Sequence, residues 1–344
     1  MTRFLSGIQP SGTPHLGNYF GAIAQHIEAA AMLGDKDSAL FFIADYHALN
    51  SIQNRDELAM RVRDVAATYL ALGLDTDKAL FFRQSDVPEV TELTWLLSSC
   101  TGMGLLERGT SYKDKVNRGQ SASVGLFTYP VLMAADILIY DSDIVPVGKD
   151  QQQHVEFAQD MAKHFNHAFG GGEEVLKYPK WKFSKVPKVP GTDGDKMSKT
   201  YGNTIDIFVS GKPLKKQVNA IVTDSRLPEE PKDPDELNAL GILNLFLSDE
   251  EQADWAERIR AGGEGAPGYG HIKKEIMARM DDRFGDARER YTALMSDGDK
   301  AWDDAEDILR EGGKKARAIA QPVLDRCLEA VGMRNARRTP SSMS

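Results

Sequence analysis

Two short stretches carry the residues best suited to chemistry. The first is Ser6-Gly7-Ile8-Gln9-Pro10-Ser11-Gly12-Thr13-Pro14-His15-Leu16-Gly17-Asn18, and the second is Gly194-Asp195-Lys196-Met197-Ser198-Lys199-Thr200. Gly7, Gly12 and Gly17 let a backbone come close to a ligand. A helix opening at Gly17 offers unpaired N–H groups and the positive end of its dipole. Such a turn suits a phosphate or an adenosine, with His15 placed to donate a hydrogen bond. In the second stretch two lysines flank a Met-Ser pair, and Gly191, Gly194 and Gly202 supply hinges. A loop of this kind can close on pyrophosphate and neutralise the charge that develops during phosphoryl transfer. Read singly, one is an ordinary strand-to-helix loop and the other an exposed basic turn. Read together, they form two sides of a triphosphate clamp. The first turn is neither a Walker loop nor a dinucleotide fingerprint.

The elements around these stretches set where they lie. Arg3–Ile8 reads as a buried strand running into the glycine turn. Phe20, Ile23, Ile27 and Ala30 then recur at helical spacing. The run Ala39–Ala44 suits a strand buried on both faces, with Asp45-Tyr46-His47 at its carboxyl end. An amphipathic helix is expected over Asn54–Leu72, a strand over Ala79–Arg83 and a helix over Glu89–Ser98. Arg108–Ser123 is polar and reads as a loop near the site. Gly125–Tyr140 reads as a helix containing Pro130 and the lone charge Asp136. Ile144–Val147 reads as a strand, capped by Gly148-Lys149-Asp150-Gln151 before a helix over Gln152–Phe165. This alternation predicts a parallel sheet with crossover helices and ligands beyond the strands' carboxyl ends.

After Thr200 the pattern turns helical, with segments expected at Lys212–Val222, Asp235–Phe246, Glu250–Arg260, Ile272–Phe284, Asp286–Met295 and Asp299–Val331, and caps at Asp235, Ser248 and Asp299. The expected organisation is a Rossmann-like doubly wound α/β domain over 1–205, with a C-terminal helix at 310–331 packing back on it. An all-helical domain over 206–331 and a disordered tail over 332–344 complete it.

Bulk properties narrow the class. The chain has 344 residues, of which 41% are hydrophobic and 27% charged, as in an ordinary globular protein. A membrane-spanning run and a signal-peptide pattern are both missing, which points to the cytoplasm. Cys100 and Cys327 lack metal or disulfide spacing and read as reduced thiols. The formal charge of −9 argues against non-specific nucleic-acid binding. Local basic runs remain at Lys177–Lys188, at Lys314, Lys315 and Arg317, and in the tail at Arg334, Arg337 and Arg338.

His15-Leu16-Gly17-Asn18 resembles the His-Ile-Gly-His signature of class I aminoacyl-tRNA synthetases, and Lys196–Thr200 resembles their Lys-Met-Ser-Lys-Ser loop. Within that class, Ser6–Gly12, Gly17-Asn18-Tyr19, Tyr129–Leu138 and Val145–Gln151 are similar to the bacterial tryptophanyl-tRNA synthetases. The resemblance covers positions 6 to 200 and implies roles residue by residue. Gln9, Pro10, Ser11, Gly17 and Asn18 would hold ATP, which arrives with Mg2+ and no tightly bound protein metal. Gly148, Lys149 and Asp150 would meet the ribose and adenosine, and Val189 the adenine. Lys196, Met197, Ser198, Lys199 and Thr200 would form the pyrophosphate loop, with Lys115 adding a positive charge. His15, Asn18, Lys115, Lys196 and Lys199 would be catalytic. Asp136 would accept the indole N–H, and Tyr129 and Gln151 would hold the α-amino group. Gly7, His47, Met133, Val145 and Val147 would line the side-chain pocket. The implied partners are tRNA(Trp), L-tryptophan and a second copy of the chain, with no membrane. Leu5 stands where the family often has an aromatic residue, and Thr200 replaces the usual final serine. The alternatives are a tyrosyl-tRNA synthetase, a small-molecule nucleotidyltransferase and a non-charging paralogue that binds tryptophan or a protein.

Overall fold

The computed structural model describes residues 2–34, 37–117, 119, 122–148, 152–183, 189–296 and 300–334. Its centre is a five-stranded sheet of β1 (Arg3–Ile8), β2 (Ser38–Ile43), β3 (Ala79–Arg83), β4 (Ile144–Val147) and β5 (Lys180–Phe183), in the order β3-β2-β1-β4-β5. All four pairings are parallel. β1 therefore lies at the point where strand order reverses, where parallel sheets open a crevice. The middle of the sheet is buried on both faces. Along β2, Ala39, Phe41 and Ile43 enter one core while Leu40 and Phe42 enter the other, as the two-residue repeat of a strand requires.

The helix after the glycine turn begins at α1 (Leu16–Asn18), widens into a π-turn over Tyr19–Ile23 and continues as α2 (Ala24–Ala31). α3 (Asp45–Ala48) follows β2, and α4 (Arg55–Ala71) starts where Asn54 accepts the Glu57 N–H. α2 and α4 cover the first face. The second face carries α5 (Glu89–Cys100), α8 (Val124–Leu138) and α9 (Gln152–Phe169). Between α5 and α8 lies α6 (Met103–Leu106), and the loop expected over Arg108–Ser123 is helical over α7 (Thr110–Asn117). Leu105 and Leu106 are buried, and the Tyr112 ring meets Phe127 edge-on at 4.8 Å. These few apolar anchors hold a segment that its polar composition hid.

β5 was likewise not expected. Its lysines, read as a basic run, lie on an edge strand, where exposed Lys180 and Lys182 discourage pairing with another chain. Lys185 and Lys188 of that run lie outside the described residues, as do Asp299, Arg337 and Arg338.

The helical part comprises α10 (Gly211–Asn219), α11 (Asn238–Leu243), α12 (Asp249–Ala261), α13 (Tyr269–Met295) and α14 (Lys300–Ala330). Ser248 caps α12 as expected, whereas Asp233, not Asp235, caps the short turn before α11. The two helices expected around Gly285 are one continuous helix. Burial of Phe284, Ala287 and Leu294 outweighs the roughly 1 kcal/mol that a mid-helix glycine costs. α14 shields the open edge of β3. A side chain at Gly312 would begin 2.1 Å from the Phe81 carbonyl oxygen, so only glycine allows this approach. Arg317 then bonds buried Glu89 at 2.7 Å.

Candidate active site

The cavity at the carboxyl ends of β1, β2 and β4 measures about 750 Å³. Helical spacing places Tyr129, Met133 and Asp136 of α8 along one wall, at positions i, i+4 and i+7. Val145 and Val147 of β4 line another part, and Gly7 lines it at the end of β1. A side chain at Gly7 would begin 2.6 Å from the Phe42 ring, so the ring itself requires glycine there. Gln9, Pro10, Ser11 and Asn18 line the same cavity.

Asp136 is only 1% exposed, and its carboxylate is already partnered. The fully buried Gln84 donates from Nε2 to both Asp136 oxygens, at 2.8 and 2.9 Å. His47 Nε2 lies 2.9 Å from Asp136 Oδ2, which sets the imidazole proton on Nε2 when Asp136 is ionised. Burial raises the Asp136 pKa, while the bonds from His47 and Gln84 oppose the rise. Gln84 Oε1 accepts the Tyr46 N–H at 3.1 Å, and Asp45 accepts the Ser85 N–H at 3.0 Å. The ends of β2 and β3 are thus tied together beneath Asp136. From the sequence an indole N–H is expected as the donor to Asp136, and Gln84 is not foreseen. Its position just past β3, at the sheet's ligand end, was the available signal.

The two signature stretches meet directly. His15 and Asp206 form an antiparallel bridge, with Leu16 N–H bonded to Ile205 O at 2.9 Å and Ile207 N–H to Pro14 O at 3.2 Å. Met197 is buried, and its sulfur accepts the Gly17 N–H at 3.3 Å. A side chain at Gly17 would begin 2.8 Å from the His15 ring. Lys199 Nζ donates to the Ser11 carbonyl at 2.9 Å, closing the loop onto the glycine turn. Lys196 and Thr200 are exposed and Ser198 is half-buried. Neither Lys196 nor Lys199 lines the cavity.

Buried Asn203 organises this loop. It accepts the Ser198 N–H at 2.7 Å and donates to Asp193 at 2.7 Å and to the Lys196 carbonyl at 3.2 Å. Val189 is buried, and its carbonyl accepts the Met197 N–H at 3.0 Å. Asn203 was also missed by the sequence reading, since a lone asparagine after glycine looks like turn chemistry.

Electrostatics sharpen the role open to His15. Burial, aided by Lys199, lowers its pKa to about 4, so it is a neutral imidazole near pH 7. Its Nδ1 is buried and meets no partner among the described residues. Burial also lowers the Lys199 pKa, with Asp64 and Asp206 opposing the shift and Arg61 adding to it. Lys149, Asp150 and Gln151 lie outside the described residues, as does the side chain of Lys115 on α7. Gly148 directly follows β4.

A parallel sheet with a cavity of about 750 Å³ at its switch point, and a His-Leu-Gly-Asn turn latched to a Lys-Met-Ser-Lys loop, defines a class I aminoacyl-tRNA synthetase. The family model described as "tRNA synthetases class I (W and Y)" matches residues 1–284, and the chain belongs to that family. It is 50% identical over 333 residues to a tryptophan–tRNA ligase of Rhodopirellula baltica, covering 96% of this chain and 100% of the relative. A solved tryptophanyl-tRNA synthetase of Campylobacter jejuni, complexed with ADP and tryptophan, is similar with a TM-score of 0.86 and 48% identity, covering 96% of this chain and 100% of that one. The tyrosyl-tRNA synthetase of Archaeoglobus fulgidus, at 20% identity and a TM-score of 0.62, shares the fold.

Proposed function

We propose that the chain activates L-tryptophan with ATP and transfers the tryptophanyl group to tRNA(Trp). The observation that carries this reading is Asp136, a buried carboxylate held by Gln84 and His47 on the cavity wall that Met133 and Ile137 share. A carboxylate can accept about four hydrogen bonds, so Gln84 and His47 leave room for one more donor. The indole of tryptophan is a flat apolar body with a single N–H. Family membership and the 50% identity to a tryptophan–tRNA ligase support the same reading.

The chemistry runs in two steps. A tryptophan carboxylate oxygen attacks the α-phosphorus of ATP, and the bond to the bridging α–β oxygen breaks. Pyrophosphate leaves with that electron pair. A terminal ribose hydroxyl of the tRNA then attacks the adenylate carbonyl, loses its proton and releases AMP. Positioning and charge compensation dominate such a reaction. Gln9–Ser11, Gly17, Asn18, Gly148, Lys149, Asp150 and Val189 hold the nucleotide, which enters with magnesium. Lys115, Lys196, Ser198 and Lys199 compensate the departing pyrophosphate, and His15 donates a neutral N–H to a phosphate oxygen. Tyr129 and Gln151 hold the amino group. The 206–331 region reads the anticodon, within a cytoplasmic homodimer. No described helix is long and apolar enough to cross a membrane.

ATP–pyrophosphate exchange across the amino acids tests the reading. Exchange should depend on tryptophan and exceed that with phenylalanine by about 10⁴-fold, because phenylalanine brings no N–H to the acceptor position that Gln84 and His47 leave open on Asp136. Exchange driven by tyrosine instead would transfer the assignment to the sister enzyme.

A further inference from the structure

We infer that Arg61 is a further ligand of the terminal phosphates of ATP and of the departing pyrophosphate, an inference that rests on the activity proposed above. Arg61 lies on α4, outside both signature stretches, and its guanidinium covers the glycine turn. Gly12 has φ +89°, and the nearest atoms to the point where a side chain there would begin are Arg61 Nη1 at 1.6 Å, Arg61 Cζ at 2.9 Å and Lys199 Nζ at 3.3 Å. Only glycine permits that approach. The two cationic nitrogens therefore lie within about 5 Å of each other, a separation at which like charges repel.

Their present partners do not use up either cation. Arg61 Nη2 donates to Glu57 at 3.2 Å, one turn back on the same helix, and both side chains are partly exposed. Such pairs are weak and readily exchanged. Arg61 Nε is buried and meets no acceptor among the described residues. Lys199 Nζ donates to the neutral Ser11 carbonyl. Asp64, buried on the next turn of α4, already takes the Tyr291 hydroxyl on Oδ1 at 2.7 Å. Ser11 and Gly12 line the cavity, and Arg61 and Lys199, which do not line it, lie against that part of the turn. A phosphate with several anionic oxygens bridges two such cations, the guanidinium by its planar fork and the ammonium as a point charge. A triphosphate reaching past His15 presents that group.

The test compares R61Q and R61K in tryptophan-dependent ATP–pyrophosphate exchange. R61Q should raise the KM for ATP and for pyrophosphate about tenfold to a hundredfold, the loss of a charge-assisted hydrogen bond. The KM for tryptophan should stay within about twofold, and R61K should recover part of the loss. Unchanged KM values for ATP and pyrophosphate in R61Q would overturn the inference. So would a rise confined to the KM for tRNA in aminoacylation, which would assign Arg61 to a tRNA phosphate. Should R61Q fail to fold, the unaltered protein decides. Phenylglyoxal labelling of Arg61, read by peptide mass spectrometry, should fall with pyrophosphate but not with tryptophan alone; labelling indifferent to pyrophosphate refutes the assignment. Exchange by the unaltered protein reports separately on the activity, so the two readings fail independently.

Discussion

The two halves of the site are built on opposite plans. The Asp136 side is cross-tied: buried and part-buried bonds of Gln84, His47 and Tyr46 link β2, β3 and α8, and an exposed Asp45–Ser85 bond adds to them. The Lys196–Thr200 side is largely exposed and hangs on Asn203, the Met197 plug and the Lys199–Ser11 bond. A rigid, desolvated pocket discriminates well because a mismatched ligand strands a buried group. A loop fastened by a few bonds can change position as charge moves from ATP to pyrophosphate. Selectivity and rate are thereby assigned to different physical regimes in one site.

That division can be broken most decisively at Asp136. Asp136→Asn should reduce the selectivity for tryptophan over phenylalanine about 10³-fold, measured as a ratio of kcat/KM values in exchange. Retained selectivity would mean that shape alone discriminates. Lys196→Ala should slow exchange about 10²- to 10³-fold while tryptophan binding, followed by intrinsic fluorescence, stays within about twofold. Equal losses in both would erase the distinction between the halves. Gln84→Leu probes the support beneath Asp136 and should weaken tryptophan binding about tenfold with little change in the KM for ATP. A larger effect on ATP than on tryptophan would refute its placement.

The smallest effect concerns pH. Burial lowers the pKa of His26 to about 4, where its ring meets Ser6 Oγ at 3.1 Å and the Tyr69 hydroxyl at 2.9 Å. His15 behaves alike. The unfolded histidines bind protons below about pH 6.5, whereas the folded ones do so only near pH 4. Their contribution is therefore present above pH 6.5, is lost as the pH falls to about 4, and declines no further below it. The Tm should fall across that window, and His26→Gln should make the slope shallower. An unchanged slope would show that other groups set it.

Much of the fold was legible because its signals are local. β1, β3 and β4 have the predicted limits, since each is a short apolar run between turn residues. The family resemblance names Tyr129, Met133 and Asp136 together, and the 3.6-residue repeat of α8 sets them on one wall. Segments held by a few distant contacts were not legible. α7 depends on Tyr112 meeting Phe127, and β5 depends on β4 lying alongside it. In the site, Gln84, Asn203 and Arg61 escaped for the same reason: each is unremarkable among its sequence neighbours.

The chain alone determined the alternation of strand and helix, the glycine turn, the paired lysines and a charge set in an apolar helix. These follow from propensity, periodicity and residue chemistry, which act over a few positions. Tertiary structure decided which partners those groups meet. Bringing Gln84 to Asp136 spans 52 positions, Lys199 to Ser11 spans 188, and Tyr291 to Asp64 spans 227. Contacts at such separations are selected by the packing of whole elements around one sheet, where burial makes an unpaired polar group costly. No local pattern records that choice.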